Sequence, residues 1–144
     1  IKQAYRKAPF FKEYNEFFEK LYLNCAFTRL SEVNLMFIRE ICQLLGVKTE
    51  IIYSKDLNLV GDKTEKLLNV CKDLGVTDYY SGPAAKDYME VGLFDEQNVE
   101  VHWFDYSGYP EYNQQFEGFE HGVTILDLIF NEGVEGAKKK MKSF

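Results

Sequence analysis

The residues best suited to chemistry lie in the stretch YSGPAAKDYM, Tyr80–Met89. A Ser-Gly-Pro corner there separates a β-rich run from a helical one, and Lys86 comes four residues after Gly82. Glycine permits close backbone approach, Pro83 is pre-set for a first helical position, and Ala84 and Ala85 leave their N–H groups uncrowded. With the Lys86 ammonium nearby, the natural guest of such a corner is an anion, either a phosphate or a carboxylate. The same residues also spell a plain turn, in which Ser81 caps the helix, Pro83 opens it and Lys86 points into water.

Other candidates are fewer. GDKT, Gly61–Thr64, puts Lys63 and Thr64 at a helix start without the spacing of a Walker A loop. Ser54 closes a β-rich run, and Tyr88 lies on the short helical stretch after the corner. His102 alternates onto the face opposite Trp103 and reads as a satisfied strand residue. His121 sits just before a helix start and is the better acid–base group. Asp127 follows Thr124 at capping-box spacing, and Asn131 and Gly133 close the same helix. No paired carboxylates, GxGxxG, GxSxG, HExxH or CxxC pattern stands out, so neither a metal site nor a cofactor is expected. Cys25, Cys42 and Cys71 are odd in number and far apart, which suits buried free thiols in a reducing, cytoplasmic compartment.

Positioning these residues requires a scaffold. Helical spacing of Phe10, Tyr14, Phe17, Phe18 and Leu21 predicts a first helix, and Ser31 is placed to cap a second with a broad apolar face ending at Gly46. KTEIIYS predicts a strand ending at Ser54. DKTEKLLNVCKDLG then predicts a helix with Leu67, Cys71 and Leu74 inside and an Asp62/Glu65 capping box. VTDYYSG and NVEVHWF predict two further strands, with the Pro83 helix between them. Strands alternating with helices imply an α/β class, a Rossmann-like three-layer fold with a short parallel sheet and helices on both faces. Ligands of such sheets bind beyond the carboxyl ends of the strands, so Ser54, Ser81 and Gly82 are expected on one rim. The run DYSGYPEYNQQFEGFEHG has no period but five aromatics, and predicts a packed loop over one end of the sheet before C-terminal helices.

The chain has 144 residues, the size of one α/β domain (1–144), and its start suggests the C-terminal part of something longer. Its net charge of −6 speaks against nucleic acid, and the basic run AKKKMK reads as a solvated helix end. No window has the apolar length of a membrane span.

Taken in order, APFFKEY, LSEVNLMFIREICQLLGVKT, GDKTEKLLNVCKDLG, YSGPAAKDYM, YPEYNQQFEGF and TILDLIFNEG resemble the WbqC-like proteins over most of the chain. The resemblance implies a bacterial cytoplasmic protein of O-antigen or other surface-polysaccharide biosynthesis, a transferase passing an aminoacyl (glycyl) or acyl group to a sugar. Its motif residues fall on Gly61, Lys63, Thr64, Ser81, Gly82, Lys86, Tyr88, Tyr109, Pro110, Tyr112, Asp127, Asn131 and Gly133. The implied partners are a nucleotide-linked or lipid-linked sugar and a small acyl or aminoacyl donor, with a homo-oligomer left open. The reading of the residues and the resemblance together make Ser54, Lys63, Thr64, Ser81, Gly82, Lys86, Tyr88, Tyr109, Tyr112 and Asn131 substrate-binding candidates, and His121 and Asp127 catalytic ones, with Ser54 and His121 resting on their positions alone. The chain departs from the family in lacking an opening His-Gln-Pro-type segment, and in reading FEHGVT where a proline is usual before the last helix. A non-catalytic carbohydrate- or partner-binding protein of the same pathway is the competing expectation.

Overall fold

The computed structural model describes residues 1–141. It is mixed α/β. Six α-helices span Lys2–Tyr5 (α1), Phe11–Leu23 (α2), Leu30–Leu45 (α3), Lys63–Leu74 (α4), Val91–Asp95 (α5) and Ile125–Lys140 (α6). Strands Asp78–Ser81 (β1) and Glu100–Trp103 (β2) pair in parallel. The chain gathers into two compact units. A helical unit takes Ile1–Thr49 and the chain from Gly108 onward, and a sheet unit takes Glu50–Ser107.

In the sheet unit, α4 begins on the expected capping box. The Asp62 carboxylate accepts from the Glu65 amide, and the Glu65 carboxylate accepts from the Asp62 amide, each at 2.9 Å. Gly75 ends the helix with φ 62°, a left-handed conformation suited to glycine. Buried Leu68 and Cys71 face Ala85, Met89, Phe94 and Val99, with Tyr79, Val101 and Trp103 of the strands packed alongside. Leu74, expected inside, is 43% exposed, because the buried face turns toward Thr64 and Leu68 instead.

The expected first strand does not form. Residues 48–53 have no ladder partner, Ile51 and Tyr53 are only half buried, and Ser54 opens a 3₁₀ turn, Ser54–Asp56. β propensity alone does not make a strand without a neighbouring edge to pair with. The rim of three strand tips is therefore a pair of tips. The Pro83 helix is likewise a short 3₁₀ turn, Pro83–Asp87, with no side-chain cap from Ser81.

In the helical unit α2, α3 and α6 enclose Phe18, Ile129, Phe130 and Ala137. The Phe130 ring lies 5.2–5.3 Å from those of Tyr5, Phe11 and Phe18. Helix α6 is broken at Gly133, with φ 70° and ψ 175°, a region essentially reserved for glycine. A β-carbon there would sit 2.9 Å from the Phe10 ring. The break frees main-chain groups that neighbours satisfy: the Phe10 amide donates to the Phe130 carbonyl at 3.0 Å, and the Val134 amide to the Tyr14 hydroxyl at 3.3 Å. Helix α3 begins at Leu30, one residue before Ser31, so Ser31 lies within the first turn and caps nothing. Its broad apolar face is less covered than its sequence predicts, with Leu45 buried but Ile38 50% exposed. The lysines of the basic run lie in the last turn of α6, except Lys142, which lies outside the described residues.

Candidate functional site

The sequence candidates fall into two groups, one in each unit. In the sheet unit, parallel register sets Ser81 beside Trp103 at the carboxyl ends of β1 and β2. The Lys86 ammonium lies 5.3 Å from the centre of the Trp103 ring, within cation–π range. Gly82 has an ordinary extended backbone (φ −69°, ψ 152°). The Tyr106 hydroxyl lies beside it, 3.3 Å from where a β-carbon would stand. A phenol, an indole and an ammonium thus meet at the strand ends.

Behind this corner, Thr64 is 2% exposed. Its hydroxyl is 3.5 Å from the Tyr88 carbonyl and 3.4 Å from the Glu90 amide, so it ties the start of α4 to the chain leaving the 3₁₀ turn. Lys63, one residue earlier and exposed, places its ammonium 5.2 Å from the Tyr88 ring centre. Lys63 and Tyr88 form a second surface cation–aromatic pair. Ser54 is exposed, three residues past the half-buried Ile51, on its own turn.

The helical unit holds the other group, organised around a buried carboxylate. Asp127 is 1% exposed and accepts from the Tyr112 hydroxyl at 2.7 Å and from Gln114 Nε2 at 3.0 Å. The Tyr5 hydroxyl also bonds to Asp127. Burial first, then the charge and hydrogen bond of Asp127, push the Tyr5 phenol up to about 12. Burial, then the Asp127 hydrogen bond, push Tyr112 up as well. Both phenols are held protonated, as donors. One turn along α6, the Asn131 amide donates to the Asp127 carbonyl at 2.8 Å while its own oxygen accepts from Gln115 at 2.7 Å.

These bonds fasten residues 112–115 of the aromatic loop onto α6, the helix that the loop precedes. They also correct the expected cap. The Thr124 hydroxyl accepts from the Leu126 amide at 3.3 Å, but the Asp127 carboxylate turns to the loop and the reciprocal half of the box is missing. His121 is exposed and makes an edge contact with Phe119 at 4.6 Å, and Phe119 meets Tyr112 in the same manner at 5.0 Å. Tyr109 is half buried.

The residues that sequence reasoning passed over are Tyr5, Gln114, Trp103 and Tyr106. Only Trp103 carried a signal, through its alternation with His102. The pattern of the WbqC-like protein family matches residues 1–139. The chain belongs to the WbqC-like family. It is also 42% identical over 131 residues to the uncharacterized protein Rv1507c of Mycobacterium tuberculosis, a match covering 91% of this chain and 57% of that protein. The chain therefore spans a little over half the length of this curated relative. No solved structure matches it. Among the described residues of this WbqC-like chain, no helix is long and apolar enough to cross a membrane.

Proposed function

We propose that this chain binds an anionic donor or acceptor at the carboxyl ends of β1 and β2, as part of a transferase of bacterial surface-polysaccharide biosynthesis. The observation that carries the proposal is the meeting of Ser81, Trp103, Lys86 and the Tyr106 hydroxyl at one sheet edge. An ammonium beside an indole suits a phosphate or carboxylate attached to a planar or sugar ring, because the cation takes the charge and the ring face takes the stack. The turn after Gly82 is a five-residue 3₁₀ segment, so the charge is met by Lys86 more than by a helix dipole. Nucleotide-linked or lipid-linked sugars fit this chemistry, and the transferred group is an aminoacyl or acyl unit. The scaffold of this reading is Rossmann-like and three-layered, and its place is the cytoplasm.

The second reading is a non-catalytic carbohydrate- or partner-binding protein of the same pathway. It is favoured by the commitment of Asp127 and Tyr112 to each other, which leaves neither free for substrate. Thermal-shift titration with nucleotides, nucleotide-sugars and aminoacyl donors tests the anion site. Wild type is expected to be stabilised and Lys86→Ala to lose most of that stabilisation. Absence of any shift in wild type overturns the anion site, and an unchanged shift in the variant removes Lys86 from it. Turnover of a stabilising donor by the wild type separates the transferase from the binding protein.

A further inference from the structure

Residues that the strand-end cluster does not use stand on the outward face of the sheet. Side chains alternate across a strand. Tyr79, Val101 and Trp103 pack against the core, so Asp78 and Tyr80 of β1 and Glu100 and His102 of β2 share the other face. Parallel register sets Asp78 beside Glu100 and Tyr80 beside His102. One oxygen of Asp78, one of Glu100 and a ring nitrogen of His102 consequently lie within 4.8 Å of one another. His102 Nε2 is 2.8 Å from Asp78 Oδ1, and Nδ1 is 3.9 Å from Glu100 Oε1. Tyr80 stacks on the imidazole at 4.5 Å. An open cavity of about 340 Å³ adjoins them, lined by Thr77, Asp78, Asp95, Asn98, Val99 and Glu100.

Charge and donor chemistry point the same way. Among the described residues, the ion pairs of Asp78 and Glu100 run to His102 alone, so with a neutral imidazole the pair of acids carries two uncompensated charges. Carboxylates alone suit calcium or magnesium, whereas an added imidazole shifts preference to manganese, iron, cobalt, nickel or zinc. Donors about 2.0–2.2 Å from such an ion stand roughly 3–4 Å apart. Small rotations of the exposed Asp78 and Glu100 side chains bring the three groups to that spacing. We infer that Asp78, Glu100 and His102 form a binding site for a divalent transition-metal ion, with the oxygen-rich cavity beside it open to water or to an anionic ligand of the metal. The site stands on the outer sheet face and is independent of the anion site at the strand ends.

Mn²⁺ added below stoichiometry to the ¹⁵N-labelled chain tests this directly. Amide signals of Asp78, Glu100 and His102 are expected to broaden first, with those around Cys25, Cys42 and His121 unchanged. Calorimetric titration with Mn²⁺ and Co²⁺ should show one saturable site. His102→Gln and, separately, Asp78→Asn should weaken it at least about tenfold, and His121→Gln should leave it unchanged. Circular dichroism confirms that these surface variants fold. Broadening spread over many carboxylates, no saturable uptake by the wild type, or undiminished binding in His102→Gln would each overturn the inference.

Discussion

In the helical unit the key carboxylate, Asp127, is sealed from water and surrounded by donors from the loop and from α1, beneath a core in which one ring, Phe130, touches three others. In the sheet unit the carboxylates Asp78 and Glu100 stay exposed on a two-stranded sheet whose core is smaller. A buried acid that is fully bonded makes its surroundings rigid, since removing any donor leaves an unpaid desolvation cost. Exposed acids and cation–aromatic pairs add little stability and leave their groups free to meet a ligand. The contrast sets a sealed, fully bonded acid in one unit against exposed, loosely held acids in the other.

The largest test of that contrast is the core itself. Phe130→Ala should cost about 3–5 kcal/mol, read by urea denaturation, because no neighbour can refill the space of a fully buried ring. Hydrogen exchange on the same variant should show protection lost in α2 and α6 and retained in β1 and β2. Equal loss in both units would break the comparison. Next, Gly133→Ala should cost about 1–3 kcal/mol from backbone geometry, with the Phe10 contact adding to it. The destabilisation is again checked by urea, with near-ultraviolet circular dichroism following the aromatic packing.

Smaller, and sharper in diagnosis, is Tyr112→Phe. It withdraws one donor from Asp127 at a cost of about 1–3 kcal/mol. The alkaline side supplies a signature. Tyr5 and Tyr112 have folded pKa values above the ordinary 10.0. Their contribution is complete below the unfolded value of 10.0 and is lost as pH rises through the folded value, about 12 for Tyr5. Wild-type stability should therefore fall with pH above 10.0, and fall less steeply in Tyr112→Phe. Equal slopes would mean that neither burial nor the bond to Asp127 disfavours ionisation of the phenol. The smallest effect belongs to the sheet unit, where Asp62→Ala should cost about 1 kcal/mol through its cap, measured by the same denaturation.

What the sequence made legible was local. The capping box at Asp62 and Glu65, the glycine stops at Gly46 and Gly75, the interruption at Gly133 and the parallel pairing of VTDYYSG with NVEVHWF all follow from short-range chemistry. KTEIIYS failed because pairing is a long-range property that a β-branched run does not carry within itself. The cap predicted at Ser31 falls instead on Arg29, two residues earlier and without a side-chain hydrogen bond, within the ordinary uncertainty of a helix end. At the site, Lys86 was readable as a cation after a corner, but the Trp103 ring beneath it and the Tyr106 hydroxyl against Gly82 depend on contacts across strands. Asp127 was legible as a helix-start acid. Its true partners, Tyr112, Gln114 and Tyr5, come from a loop without periodicity and from the far end of the sequence.

The helical unit is interrupted in sequence by the sheet unit. On the ribosome, the uninterrupted segment Glu50–Ser107 is fully synthesised while α2 and α3 still await α6. The aromatic rings of α2 therefore remain uncovered for the time it takes to translate the intervening stretch, and stalling before Ile125 would expose them to chaperones or to aggregation.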